Sequence, residues 1–330
     1  MTQALATARH RLDDAVARLS RAGVESPRVD VEWLLAAALG VTRGRLVAVV
    51  EQPMDDEVAE RFEAWIRRRA EREPLQHLLG TQAFRDLVLS VGPDVLVPRP
   101  ETEMLVSWAL ELLPPLGTGP LVLDVGTGSG CLACALASER PDVRVLAVDA
   151  SPAAAAIARE NVDALGLTDR VTVAVSDLFS GLAAVRADLI VANPPYVPTG
   201  VIDTLAPEIT EHEPRAALDG GPDGLRVIRR LVGDAPRWLQ PNAPLVLETF
   251  GDEQVREVKI LMQQAGFVNL VIRPDLAGVT RFVAGCCPPR RRGGSVSEAN
   301  RGGAGRLATP PTPAPPRGGG DMQSTSPGEV

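Results

Sequence analysis

Along residues 1–73 the apolar positions recur at helical spacing. Leu5, Ala8, Leu12, Ala15 and Leu19 form one stripe, three or four residues apart. A second helical segment is predicted over 30–39, with Gly40 as its C-terminal stop. A third is predicted over 55–71, where Val58, Phe62, Trp65, Ile66 and Arg69 share a face and Pro74 ends the run. The period then shortens. Leu87, Leu89 and Val91 alternate with residues of the opposite face, and Gly92-Pro93-Asp94 signals a turn, so a hairpin fits 81–98. A helix follows from the segment Pro98–Glu103 to about Leu113. Pro100 suits its first turn, and Glu101 and Glu103 suit its positive end.

From residue 120 onward, short apolar runs alternate with helical stretches. Strands are predicted at 121–124, 143–149, 171–176, 189–192, 245–248, 268–273 and 280–284, and helices at 129–139, 152–165, 223–239 and 253–265. The alternation predicts an α/β fold, a doubly wound sheet with helices on both faces. The chain thus divides into a helical domain at 1–80, a hairpin linker at 81–98, an α/β domain at 99–286 and a tail at 287–330. The tail is Pro, Gly, Arg and Ser with almost no large apolar side chains, so it is expected to be disordered.

Composition narrows the function classes. The 330 residues are 45% apolar, enough for a real core, yet no apolar run reaches the length of a membrane span. The first residues do not make a signal peptide, so the expected location is the cytoplasm. Cys131 and Cys134 form a CxxC on a predicted helix, with no second CxxC or paired His, and are expected to be small packing residues; Cys286 and Cys287 are expected to be ordinary thiols. The net charge is −8; six arginines against Glu298, Asp321 and Glu329 make 288–330 cationic by +3, leaving −11 on the rest. A body that acidic is a poor binder of phosphate backbones, so no direct nucleic-acid contact is expected.

Chemistry gathers at the ends of the predicted strands. Gly126-Thr127-Gly128-Ser129-Gly130 follows the first strand of the α/β part and opens a helix, as a loop that lets backbone approach a ligand does. A dinucleotide site uses a similar turn, but Cys131 stands where that pattern wants Gly or Ala. Asp149 ends the second strand and can grip ribose hydroxyls; it can equally cap the helix at Ser151–Pro152. Asp177 ends the third strand and can accept from an adenine amino group, with Leu178 or Phe179 covering the ring. A turn aspartate and core side chains are the plain alternative. Together these strand ends outline a nucleoside site. Asn193-Pro194-Pro195-Tyr196, holding the only tyrosine, ends the fourth strand. Its Asn193 side-chain oxygen and Pro194 carbonyl can accept the two hydrogens of a planar NH₂ group, with Tyr196 as a flat wall. The consecutive prolines turn that carbonyl outward. An adenine amino group and a glutamine amide fit such a loop equally.

The glycine loop, the two acids and the Asn-Pro-Pro-Tyr loop in succession resemble an amino methyltransferase. A longer set of segments resembles the bacterial release factor glutamine N5-methyltransferase family: Pro74–Gly80, Phe84, Val97–Glu103, Glu213–Leu218 with Gly220, Gly221 and Asp223–Leu225, Leu247-Glu248 with Gly251 and Gln254, and Asp275–Gly278 with Arg281. The resemblance covers about 1–285. It implies a class I S-adenosylmethionine-dependent methyltransferase fold behind a small helical substrate-recognition domain. The implied reaction methylates the glutamine of a Gly-Gly-Gln motif in class I peptide chain release factors. It places S-adenosylmethionine on Gly126–Gly130, Asp149, Asp177–Phe179 and Asn193, and the glutamine amide on Asn193–Tyr196. Two departures stand out: Leu178 occupies a position where the family often has Trp, and the long tail is outside the pattern. His77 and His212 are expected to be structural, and Arg99, Glu101 and Glu103 to order the rim of the site or simply start a helix. The rival readings are an adenine-N6 DNA or RNA methyltransferase, which must reach an extruded base, and a nucleotide-binding module without methyl transfer.

Overall fold

The computed structural model describes residues 8–288. Leu5 of the first apolar stripe and the tail from 289 onward lie outside the described residues. Three helices, Ala8–Arg21, Pro27–Ala38 and Asp56–Ala70, close around Leu12, Leu19, Leu34, Leu35, Phe62 and Ile66. Those are the predicted stripes meeting face to face. Shorter pieces that periodicity did not separate, at Arg43–Arg45, Leu46–Val49 and Leu75–Leu79, fill the connections.

Arg69, predicted on the apolar stripe, is buried there as a charge. Its Nε donates to Asp30 at 2.8 Å and its Nη2 to Glu208 at 2.9 Å. Glu208 also accepts from Arg72 Nε at 2.8 Å and Nη2 at 2.7 Å. Burial pushes the Asp30 carboxyl up while Arg69 pulls it back. The three donors, by contrast, outweigh burial at Glu208 and hold its carboxyl down at about 2. Glu208 belongs to the helix Pro207–Thr210, far along the chain, so this cluster fastens the N-terminal helices to the α/β part.

The hairpin is β1, Thr81–Phe84, and β2, Leu87–Ser90, antiparallel with Thr81 opposite Ser90. Phe84 and Leu89 enter the main core. Asn161, on the helix Pro152–Ala164, holds the hairpin in place. Its Oδ1 accepts from Ser90 N at 2.7 Å, and its Nδ2 donates to Ser90 O at 3.0 Å and Ser129 O at 2.8 Å. One buried side chain therefore joins the linker to the glycine loop.

The sheet comprises β3 (Leu121–Val125), β4 (Arg144–Asp149), β5 (Val171–Val175), β6 (Leu189–Ala192), β7 (Pro244–Glu248), β8 (Val268–Pro274) and β9 (Thr280–Cys286). Its order is β5-β4-β3-β6-β7-β9-β8, with β3 to β7 parallel and β9 antiparallel to both neighbours. Helices cover both faces over two cores, one built on Val122, Leu132, Leu136 and Val191, the other on Leu123, Ile190, Ile228 and Val258. This is the expected doubly wound α/β architecture. Because β4 and β6 flank β3 on opposite sides, the chain reverses direction there, and the crevice outside the carboxyl ends opens at that point.

Two stretches differ from expectation. The helix expected over 223–239 is a shorter helix, Arg226–Asp234, continued by a 3₁₀ turn at Ala235–Arg237. Pro236 removes the donor that would have continued it. Between 199 and 218, where no helix was predicted, lie three one-turn helices: Thr199–Ile202, Pro207–Thr210 and Arg215–Leu218. A proline at 198, 207 or 214 stands at the start of each, so none can merge with its predecessor.

Arg69→Ala would leave Asp30 buried without its cation. We expect a loss of about 3 kcal/mol of unfolding free energy, measurable as a lower midpoint in urea.

Candidate active site

Four parallel strands in a row end at the crevice. After β3, Gly126, Gly128 and Gly130 have φ of +78°, +56° and +82°, a left-handed path that side chains rarely follow. Gly126, Thr127, Gly128 and Ser129 line a cavity of about 260 Å³. Gly130 does not; it sits at the start of the helix Cys131–Glu139, where an added Cβ would lie 3.3 Å from that of Ala158. Asp124, at the root of the loop, is fully buried. It accepts from Thr127 Oγ1 at 2.5 Å and Ala133 N at 3.2 Å, and burial pushes its carboxyl up to about 7.

Asp149 ends β4 on the same cavity wall. One carboxylate oxygen accepts from Gly128 N and the other from Ser151 N, both at 2.9 Å. The helix itself is capped by Ser151, whose Oγ accepts from Ala154 N. Asp149 is thereby fixed as a bridge between two loops, with lone pairs left for hydroxyl donors. After β5, Asp177 and Leu178 line the cavity, and Asp177 pairs with Arg230 at 2.8 Å. Leu178 takes φ of +53° to do so. Phe179 is a correction to the expected ring cover. It lies in the core, stacked on Trp238 with centroids 5.2 Å apart, and is not among the lining residues.

After β6 comes Asn193-Pro194-Pro195-Tyr196. Pro195 faces the 260 Å³ cavity. Pro194 and Tyr196 line a second cavity of about 140 Å³ with Leu205, Ile209, Phe250 and Arg281. Asn193 lines both. Its Nδ2 donates to Thr102 Oγ1 at 3.1 Å, and Thr102 donates to Glu248 Oε2 at 2.9 Å. Tyr196 OH donates to the other oxygen, Glu248 Oε1, at 3.1 Å. Among the described residues, no donor is paired with Asn193 Oδ1 or with the Pro194 carbonyl. Burial and the adjacent Glu248 carboxylate raise the Tyr196 phenol, which stays a neutral donor. Burial, partly offset by Thr102 and Tyr196, pushes Glu248 up to about 7.

The loop is clamped from behind. Gln254 Nε2 donates to Tyr196 O at 2.9 Å, while its Oε1 accepts from Phe250 N at 2.8 Å. Gly224, with φ of +74°, passes so close that a Cβ would lie 2.2 Å from the same Tyr196 oxygen.

Sequence reasoning missed Thr102 and Glu248. It singled out Glu101 and Glu103 on either side of Thr102, but Thr102 is the buried one of the three. Glu103 accepts from Arg85 N and orders the hairpin. Arg99 does line both cavities, and it pairs with buried Glu213 at 2.5 Å. The signal for Glu248 was present: a carboxylate closing the apolar run Leu245–Leu247, as Asp149 closes its own strand. Cys134 is buried and Cys131 half-buried; burial raises both thiols, and no group able to hold a metal occurs among the described residues. His77 is half-buried with its pKa lowered by burial, and His212 contacts Glu71 O at 3.2 Å, neither in the cavity walls.

Residues 10–80 match the family described as PrmC N-terminal domain, and 108–230 the methyltransferase small domain. The chain is 43% identical over 279 residues to the release factor glutamine methyltransferase of Geobacter sulfurreducens, covering 84% of this chain and 96% of that one. It belongs to the release factor glutamine methyltransferase family. The corresponding protein of Mycolicibacterium smegmatis is 44% identical over 278 residues, covering 83% of this chain and 96% of its own length. Among solved structures, the hMettl16 catalytic domain in complex with a MAT2A 3′UTR hairpin covers 71% of this chain and 82% of its own at a TM-score of 0.51 and 15% identity, a likeness of fold alone. In this family member the fold is that of class I methyltransferases, and no helix among the described residues is long and apolar enough to cross a membrane.

Gly224→Ala should force Tyr196 and its loop out of place. The expected result is a melting temperature lower by several degrees and loss of activity, whereas Gly233→Ala, at an open helical position, should keep activity and hold or slightly raise the melting temperature.

Proposed function

We propose that this enzyme transfers a methyl group from S-adenosylmethionine to the side-chain amide nitrogen of the glutamine in the Gly-Gly-Gln motif of class I peptide chain release factors. The observation that carries the reading is Asn193, which belongs to the walls of both cavities and presents an unpaired amide oxygen.

The residues of the larger cavity fit a nucleoside carrying a sulfonium side chain. The glycine loop allows close backbone approach, and Asp149 has carboxylate lone pairs free for ribose hydroxyls. Leu178 offers an apolar face to the adenine ring, and Asp177 an acceptor at its edge. When bound, S-adenosylmethionine supplies an electrophilic methyl group.

The smaller cavity suits an extended glutamine side chain. Pro194, Tyr196 and Phe250 are its flat and apolar walls, with the Tyr196 and Phe250 rings 6.2 Å apart and tilted by 49°. Asn193 Oδ1 and the Pro194 carbonyl accept the two amide hydrogens. That fixes the plane of the amide, aims its remaining lone pair and favours the positive charge that grows on nitrogen as it is alkylated. Deprotonation follows the transfer, so the site needs no strong base. We assign 1–80 to substrate recognition, 81–98 to the linker and 99–286 to catalysis. The reading keeps the cytoplasmic setting expected from the sequence.

The test incubates labelled S-adenosylmethionine with the enzyme and purified release factor. Label should appear on the Gly-Gly-Gln glutamine. Asn193→Ala should abolish transfer while cofactor binding survives at reduced strength. Label on DNA or RNA but not on release factor would sink the reading in favour of an adenine-N6 enzyme. Leu178→Trp should tighten cofactor binding by roughly 1 kcal/mol through stacking, read by calorimetry. An unchanged affinity would remove Leu178 from the ring-facing position.

A further inference from the structure

An amide side chain can be turned end for end with almost no change of shape, and only one of the two arrangements of Asn193 can accept a hydrogen from a substrate NH₂ group. Something must therefore hold it the right way round. The Pro194–Pro195 backbone cannot, because neither residue has a backbone N–H. What faces Asn193 is the Thr102 hydroxyl, which has one hydrogen to give and lone pairs to receive. A lone hydroxyl would satisfy either arrangement.

We propose that Glu248 is a positioning residue for methyl transfer: as a carboxylate it takes the Thr102 hydrogen, which leaves Thr102 only an acceptor and turns the Asn193 oxygen to the substrate. The inference rests on the proposed reaction and extends it. Both Glu248 oxygens are engaged in the way this demands. Oε2 receives Thr102 at 2.9 Å and Oε1 receives Tyr196 at 3.1 Å, so one carboxylate orients both the acceptor and the aromatic wall. The bonds connect three elements: the helix Pro100–Leu112, the end of β7 and the loop after β6. A neutral Glu248 would lose this control. Protonated on Oε2, it would donate to Thr102. The Thr102 hydrogen would then be free to go to Asn193 Oδ1, and the NH₂ end would face the incoming NH₂ group.

The charged groups facing Glu248 act in opposite senses. Arg281, from β9, favours its ionised form, and Glu101, from the neighbouring helix, disfavours it. Burial dominates, so the carboxyl titrates at about 7 rather than near its ordinary 4.5. Two opposite dependences on pH follow. Activity should rise as pH passes upward through 7. Stability contributed by this group runs the other way. The folded pKa lies above the unfolded one, so its contribution is fully present below about 4.5 and is lost as pH rises through 7.

The experiment uses the full-length enzyme with release factor and S-adenosylmethionine, and compares Glu248→Gln, Thr102→Val and Thr102→Ser with wild type. Glu248→Gln and Thr102→Val should each lower kcat roughly 10- to 100-fold, with KM for S-adenosylmethionine within about twofold. Both should lose the rise of kcat near pH 7. Thr102→Ser, which keeps the hydroxyl, should restore rate and pH profile. At pH 8, Glu248→Gln should melt no lower than wild type. A merely structural glutamate would give the reverse: a lower melting temperature and an unaltered pH profile. If Glu248→Gln keeps wild-type kcat and the same acid limb, the proposal is overturned. If Glu248→Gln does not fold, wild-type kcat in Thr102→Val overturns it alone. Should wild type label DNA and not release factor, the reaction assignment fails, and the same variants assayed on DNA still decide the role of Glu248.

Discussion

Five strands pair in parallel with helices on both faces, and this constraint shapes the rest of the molecule. The inner strands β3, β6 and β7 are almost wholly closed to water, so a polar side chain on them must either find partners or stand at an end. Asp124, Asp149, Asn193 and Glu248 all stand at or beside carboxyl ends, on β3, β4, β6 and β7. The crossovers bring these ends to one rim although the residues are dispersed along the chain. The site is thus a by-product of strand direction. The same parallel register that buries Leu123 and Ile190 in the core sets the glycine loop beside the Asn-Pro-Pro-Tyr loop.

Much of this was legible in the sequence, for physical reasons that can be named. Short apolar runs separated by helical stretches admit few solutions, and the strands fell where expected to within a few residues. The glycine loop and Asn193–Tyr196 were legible because few residue types tolerate those backbones. Thr102 was not, since a threonine on a helix carries no local sign of its neighbour across 146 positions. Phe179 misled because an aromatic after a strand end fits a ring-binding role and a core role alike. The choice was made by Trp238, a residue remote in sequence. The segment 199–218 was unreadable in periodic terms, its turns being set by prolines rather than by an apolar stripe.

The Glu208 cluster gives the N-terminal helices a mechanical link to the smaller cavity. Glu208 lies beside Ile209, which lines that cavity, and Arg69 and Arg72 reach it from the helical side. These bonds are charge-assisted and partly shielded from solvent, so salt weakens them less than it would a surface pair. A displacement of the helices would reach the cavity wall through a few stiff contacts.

Gly224 and Gln254 have a consequence for how such a loop can change over evolutionary time. The Tyr196 carbonyl is hemmed in by a backbone that tolerates no Cβ and by an amide that grips it. The four residues after β6 therefore cannot drift by themselves. A route to a differently shaped acceptor would need coordinated replacements at 224 and 254, two sites outside the loop. Single-step variation is channelled instead to Leu205 and Ile209, which line the same cavity outside that clamp, and there diversification of acceptor preference has room to begin.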